Sequence, residues 1–88
     1  MNLYPTPTRL ALLQAVADGR VWLSAWYPYH SYMDEGPGSS RTVTARLRPM
    51  ADTRVGWVRR PERPGEAIPR ALWEITTEGR AVLEARRG

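Results

Sequence analysis

The sequence predicts an α+β fold in which three helices pack on a small antiparallel sheet of two to three strands. Apolar residues recur at helical spacing near both ends and in the middle of the chain, which predicts the helices. Short runs of valine and tryptophan between them predict the strands. We expect a single domain over residues 1–88, with residues 1–5 as a flexible lead-in and no disulfide framework, since cysteine is absent.

The first helix is expected to begin at Thr6 and Pro7. A threonine hydroxyl can cap a first turn, and proline suits the first helical position because its missing N–H would have no partner there. Leu10 and Leu13 lie on the apolar side of this helix, and Gly19 is suited to follow its end. We interpret the helix as scaffold.

A short strand is expected over residues 20–23. Residues 24–38 follow as an atypical aromatic insert or loop, because Pro28 argues against a helix and the Gly-Pro-Gly sequence at its end favours a chain reversal. The aromatic side chains either fill the core or form a surface for a partner protein or for stacking on bases. The candidates for that partner surface are Trp26, Tyr29 and Tyr32.

The central stretch, residues 39–51, is expected to form a helix that is capped by Ser39 or Ser40 and kinked at Pro49. Its inward face is apolar, and its outward face is cationic, small and hydrogen-bonding. An ordinary solvated helix face is the alternative interpretation. The inward positions are Val43, Leu47 and Met50, and the outward ones are Arg41, Thr44, Ala45 and Arg48.

An arginine-rich hairpin is expected after this helix, with strands around Trp57 and Trp73. Two prolines in its tip exclude a regular ladder there. The tip projects Arg59, Arg60 and Arg63, whose charge Glu62 and Glu66 partly offset, so an ordinary soluble turn is also compatible. The closing helix is expected to follow Thr76 or Thr77, either of which can cap it.

The composition favours an anionic partner and argues against an enzyme. The formal net charge is +4, and every basic residue is arginine. The only histidine is His30, so neither a nucleophile–base pair nor a zinc site is expected, and we predict no catalytic residue, cofactor or metal. The longest apolar runs fall far short of the roughly twenty residues that span a bilayer. We therefore expect a cytoplasmic protein.

The order of these elements resembles the winged helix-turn-helix DNA-binding family. The likeness is greatest to small actinobacterial or phage-type regulators and their multiple-antibiotic-resistance-regulator-like relatives. Three parts of the chain carry it: residues 6–10 with Gly19, residues 41–47 with 56–60, and residues 73–80. Two features depart from the family: no second helix is visible within residues 24–38, and the segment from Leu47 to Gly56 is long and contains Pro49.

The resemblance implies sequence-specific binding of double-stranded DNA by a small transcriptional regulator or a mobile-element accessory factor. The central helix would enter the major groove, and the arginine-rich wing would contact the backbone. A homodimer on two half-sites is also expected, because a single domain of this size would bind DNA with modest affinity. The alternatives are non-specific nucleic-acid binding and a winged-helix protein–protein interaction module that uses the Trp26–Tyr32 surface. The implied DNA contacts are Arg41, Thr42, Thr44, Ala45, Arg48, Arg59, Arg60 and Arg63.

Overall fold

The computed structural model describes residues 3–62 and 70–87, and these form an α+β fold with three helices. Residues 1–2 of the expected lead-in, and Arg63 with the rest of residues 63–69, lie outside the described residues. In chain order the elements are α1 (Pro7–Ala17), β1 (Val21–Ser24), β2 (Ser31–Gly36), β3 (Ser39–Thr42), α2 (Thr44–Ala51), β4 (Val58–Arg59), β5 (Arg70–Leu72), β6 (Glu74–Ile75) and α3 (Thr77–Arg87).

The main sheet has four antiparallel strands in the order β3-β2-β1-β5. Trp22 of β1 lies opposite Tyr32 of β2 on one side and Leu72 of β5 on the other. The predicted strand at residues 20–23 is therefore confirmed as β1, which begins and ends one residue later and pairs with β5. The expectation of a two- to three-stranded sheet is wrong for this sheet. The short strands β4 and β6 pair separately, with Val58 opposite Ile75.

The interpretation of residues 24–38 as a loop or insert is wrong for residues 31–36, which form β2. Ser31 is buried and Met33 packs against the core, whereas Tyr32 belongs to the opposite face of the strand. The strand escaped detection because its inward positions hold a serine and a methionine instead of β-branched residues. The predicted absence of a second helix in this region is confirmed.

The central helix begins at Thr44 and not at Ser39, because residues 39–42 form β3 and pair with β2. Neither serine caps α2, whose N-cap residue is Val43 and has no side-chain capping bond. The later start of the helix is explained by a tight turn between β2 and β3. Gly38 lies in this turn with a φ of 70°, a value that favours glycine, and the turn joins the two strands into a hairpin. The helix then continues past Pro49 to Ala51.

The hydrophobic core lies on one side of the main sheet. In β1, Val21 and Leu23 are buried, while Trp22 between them is half-buried on the other face. The predicted inward face of the central helix is confirmed, since Val43, Leu47 and Met50 are all buried. The core comprises Leu12, Leu13, Ala15, Val16, Val21, Val43, Leu47, Met50, Trp57, Val58 and Trp73, and Leu3 packs against it.

The two terminal helices begin as predicted. Thr6 Oγ1 accepts a hydrogen bond from the Arg9 amide at 3.3 Å, with Pro7 as the first helical residue. At α3, the Gly79 amide donates to Thr76 Oγ1 at 3.1 Å. The Thr76 amide also donates to the Trp57 carbonyl at 3.0 Å, which anchors the start of α3 on the strand-forming segment before β4.

Candidate nucleic-acid interface

Helix α2 is a short exposed ridge. Leu47 and Met50 face the core, and Ala45, Arg46 and Arg48 are exposed. At a rise of 1.5 Å per residue, its eight residues extend over ~12 Å. The ridge therefore presents two arginines and one small side chain to the outside of the molecule.

An open groove of about 680 Å³, here called the arginine groove, runs along one side of α2. Three arginines from three parts of the chain line it: Arg48 on α2, Arg54 in the turn after α2, and Arg60 after β4. Pro28 and Tyr29, from the turn between β1 and β2, line it as well. The fold thus gathers cationic side chains that are up to a dozen residues apart.

One buried and one partly buried hydrogen bond support the floor of the arginine groove. The Trp73 indole Nε1 donates to Ser31 Oγ at 2.8 Å, and the Ser31 amide donates to Thr44 Oγ1 at 2.8 Å. Thr44 Oγ1 also lies 3.5 Å from His30 Nδ1. Thr44, a predicted DNA contact, therefore lines the groove while its hydroxyl is engaged in joining α2 to β2.

The arginine groove carries an excess of positive charge. Arg48, Arg54 and Arg60 are exposed, and none forms an ion pair with a carboxylate of the described residues. Asp52 is the acidic residue among the described lining residues. Its Oδ1 accepts a hydrogen bond from the Arg54 amide at 2.9 Å, so it stabilises the turn that follows α2. Three guanidinium groups against one carboxylate make this surface suited to an anion.

The opposite side of α2 is also lined by arginines. Arg9 of α1 and Arg46 of α2 border a shallow depression of about 390 Å³, which we call the α1-side depression. Ala45 and Pro49 of the ridge line the same depression. The ridge is therefore flanked by cationic side chains on both sides.

The structure divides the predicted DNA contacts. It brings Thr44, Arg48 and Arg60 together in the arginine groove and leaves Ala45 on the ridge beside it. Arg54 was not among the predicted DNA contacts, because nothing in the sequence indicates that the turn after α2 lies close to Arg60. Arg9 and Arg46 of the α1-side depression were likewise not among the predicted contacts.

Two of the predicted contacts lie on a strand, and two arginines are ion-paired. Arg41 and Thr42 are on β3, so the assignment of Arg41 to the outward face of the central helix is wrong, and Thr42 lies outside that helix as well. Arg41 Nε lies 2.8 Å from Glu35 Oε1, and Arg59 Nε donates to Glu74 Oε2 at 3.0 Å. Arg63 lies outside the described residues.

The predicted partner surface is also divided. Trp26 is 74% exposed in the turn between β1 and β2, and Tyr29 lines the arginine groove. Tyr32 instead lies on the outer face of the main sheet, stacked on Trp22 with ring centroids 4.9 Å apart. Arg70 covers the Trp22 ring at 4.1 Å, an arrangement that the sequence did not indicate.

The fold and this site define a basic α+β protein with an arginine-lined surface on both sides of a short helix. No family model, curated protein or solved structure matches the chain. Within residues 3–62 and 70–87, no helix is long and apolar enough to cross a membrane. The same residues contain no cluster of three or more His, Asp or Glu side chains that could hold a metal ion.

Proposed function

We propose that this protein binds double-stranded DNA sequence-specifically, with α2 in the major groove. The observation that carries the proposal is the ridge of α2 with arginines on both of its sides. Phosphates flank the major groove on both strands, so a helix inserted there needs positive charge on each side. The biological role would be that of a small transcriptional regulator or a mobile-element accessory factor in the nucleoid.

The dimensions of α2 suit this role. The major groove is about 12 Å wide and admits an α-helix. Arg48 is exposed on the ridge, and a guanidinium can donate two hydrogen bonds to a guanine edge. Ala45, also exposed, is small enough to let the helix backbone approach the bases. We therefore assign base contacts to Ala45 and Arg48.

Phosphate contacts follow from the two sides of the ridge. Arg54 and Arg60 of the arginine groove would meet one strand, and Arg9 and Arg46 of the α1-side depression would meet the other. These make four arginines near phosphate, enough for a strongly salt-dependent affinity. We expect Arg41 and Arg59 to contribute less to DNA binding, because each forms an ion pair with a carboxylate.

We interpret the scaffold as a modified winged helix. Strands β4 and β6 pair as the two strands of a wing would, and α3 follows β6. This order supports the resemblance to the winged helix-turn-helix family. The hairpin of β2 and β3 would take the place of the second helix, and its bond from the Ser31 amide to Thr44 Oγ1 would position α2. A homodimer on two half-sites would raise the affinity of so small a domain.

Fluorescence-anisotropy titration of mixed-sequence duplex DNA, combined with selection from a random-sequence pool, tests the proposal. The variant is Arg48→Ala with Arg54→Ala, and the matched control is Arg80→Ala with Arg86→Ala on the exposed face of α3. Both variants remove two positive charges, so they differ only in where the charge is lost. We expect an enriched motif, and a loss of binding in the first variant alone. No duplex binding at low salt, or equal losses in both variants, would overturn the proposal.

A protein–protein interaction module is the second candidate function. The exposed Trp26 in the turn between β1 and β2 favours it, since large exposed apolar side chains often mark contact sites. In that case Trp26→Ala would abolish binding of a protein partner, and the double arginine variant would have no effect on it. The charge of the neighbouring groove is the reason that we rank DNA binding first.

A further inference from the structure

The turn between β1 and β2 exposes two aromatic rings beside the arginine groove. Tyr27 is 85% exposed and Trp26 is 74% exposed, the two highest values among the large apolar side chains that the structure describes. Building on the duplex binding proposed above, we propose that these rings stack on unpaired bases. The preferred ligand would then be duplex DNA with single-stranded nucleotides adjoining it.

The turn has a defined shape, so the exposure of these rings is a property of its structure. The Trp26 amide donates to Ser24 Oγ at 3.1 Å, and the Tyr29 amide donates to the Trp26 carbonyl at 2.8 Å. The Ser24 amide donates to the His30 carbonyl at 3.0 Å across the base of the turn. Tyr29 has a φ of 62°, which is uncommon for an aromatic residue and tends to occur at ligand sites.

The Tyr27 ring lies beside the arginine groove, and Trp26 precedes it in the same turn. The Tyr27 ring packs edge-on against the Tyr29 ring, with centroids 5.9 Å apart. Tyr29 and the intervening Pro28 both line the groove with Arg48 and the other two arginines. A nucleic-acid strand whose phosphates lie in the groove would therefore reach these rings within a short distance.

The size of this aromatic surface fits bases better than a protein. An aromatic side chain buries about 150–250 Å² when fully covered, so two rings provide roughly half of the ~800 Å² per partner of a standard protein interface. The adjoining surface is cationic, which suits phosphates. Aromatic rings beside basic side chains are the combination that binds single-stranded nucleic acids.

An intact duplex offers these rings no free base face, because its bases are stacked on one another. A single-stranded tail, a junction or an unpaired nucleotide does offer one. The arginine groove would hold the phosphates of the paired segment, and Trp26 and Tyr27 would stack on the first unpaired bases. The two parts of the surface would together recognise a boundary between paired and unpaired DNA.

The test compares a blunt duplex with the same duplex carrying a short single-stranded tail. We expect the natural protein to bind the tailed duplex about tenfold more tightly, because stacking on one base typically contributes that much or more. In Trp26→Ala with Tyr27→Ala, the ratio of the two affinities should fall to about one. A 2-aminopurine placed as the first unpaired nucleotide should be quenched by the natural protein and not by this variant.

Two further variants separate stacking from general effects. Tyr4→Ala removes a ring that is 70% exposed and precedes α1, and it should leave the tail preference unchanged. Trp26→Phe with Tyr27→Phe keeps two aromatic faces and should retain the preference. Binding of the blunt duplex tests the proposed function separately, since it does not depend on the tail. Equal affinity of the natural protein for both ligands would overturn the stacking proposal, as would a similar loss on both ligands in the double alanine variant.

Discussion

Trp73 donates its indole N–H to Ser31 Oγ at 2.8 Å, which joins two buried side chains 42 residues apart beneath the arginine groove. Ser31 begins β2, and Trp73 lies between β5 and β6. The bond therefore connects the hairpin that positions α2 to the segment that leads into α3. Both side chains also line the groove, so the residues that form its floor belong to the buried interior of the protein.

Replacing Ser31 with Ala is expected to lower the free energy of unfolding by about 1–3 kcal/mol, because the buried indole N–H loses its acceptor. Denaturant unfolding measures the change. The control is Ser40→Ala on the exposed strand β3, expected to stay within about 0.5 kcal/mol. Combining Ser31→Ala with Trp73→Phe should cost less than the sum of the single changes, since the orphaned donor is gone. Simple additivity would contradict the proposed role of the bond.

Replacing Gly79 with Ala is expected to destabilise the protein by more than ~1 kcal/mol, although alanine in a helix normally gains about 0.5–1 kcal/mol over glycine. A Cβ at this position would lie 2.1 Å from the Trp57 carbonyl oxygen, a contact that backbone atoms must move to relieve. Thermal or denaturant unfolding would report the change. Arg80→Ala, on the exposed side of the same helix, should be nearly neutral. If Gly79→Ala raised the free energy of unfolding instead, α3 would be able to shift away from the Trp57 carbonyl at little cost.

The elements that sequence reasoning found are those with strong local signals. Thr6 with Pro7 marks α1, and Thr76 marks α3, because capping bonds depend on neighbouring residues alone. Strands β2 and β3 carry no such signal. Their positions depend on partners across the sheet, and β3 is exposed at all four of its residues, so no apolar alternation indicates it.

The candidate site could be predicted only in part for the same reason. Arg48 was predicted from its place on the outward helical face, which is a local property. Arg54 comes from a turn and Arg9 from another helix, and only tertiary packing brings them beside α2. The ion pair between Arg41 and Glu35 joins the two strands of a hairpin that had not been predicted.

The affinity for duplex DNA should fall steeply with salt. With four arginines near phosphate, the slope of log K against log salt is expected to be about −3.6. Arg60→Ala should make this slope less steep by about 0.9 and weaken all sequences alike, because a phosphate contact carries no sequence information. Titrations at several salt concentrations measure the slope. An unchanged slope in Arg60→Ala would remove this residue from the interface.

Arg48 should behave differently from Arg54 and Arg60, the other two arginines of the groove. Because it is assigned to a base edge, Arg48→Ala is expected to reduce discrimination at one base-pair position by about 1–3 kcal/mol. Competition between the selected motif and its single-base variants measures this discrimination. A uniform loss across all competitors would place Arg48 on phosphate.

Neutralising Glu74 is expected to strengthen DNA binding without altering stability. The ion pair of Glu74 with Arg59 is well exposed, with side-chain exposures of 58% and 74%, so Glu74→Gln should change the free energy of unfolding by only ~0–1 kcal/mol. The change would release Arg59, at the end of β4 and one residue before Arg60, to meet phosphate.

The control for Glu74→Gln is Glu84→Gln on the exposed face of α3, which raises the net charge by the same amount. Long-range attraction depends on net charge, whereas a released arginine acts only where DNA lies. Affinity measured at two salt concentrations should therefore rise more for Glu74→Gln and also become more salt-dependent. If both variants gained equally, the gain would reflect net charge alone, and the wing would have no direct contact with the DNA backbone.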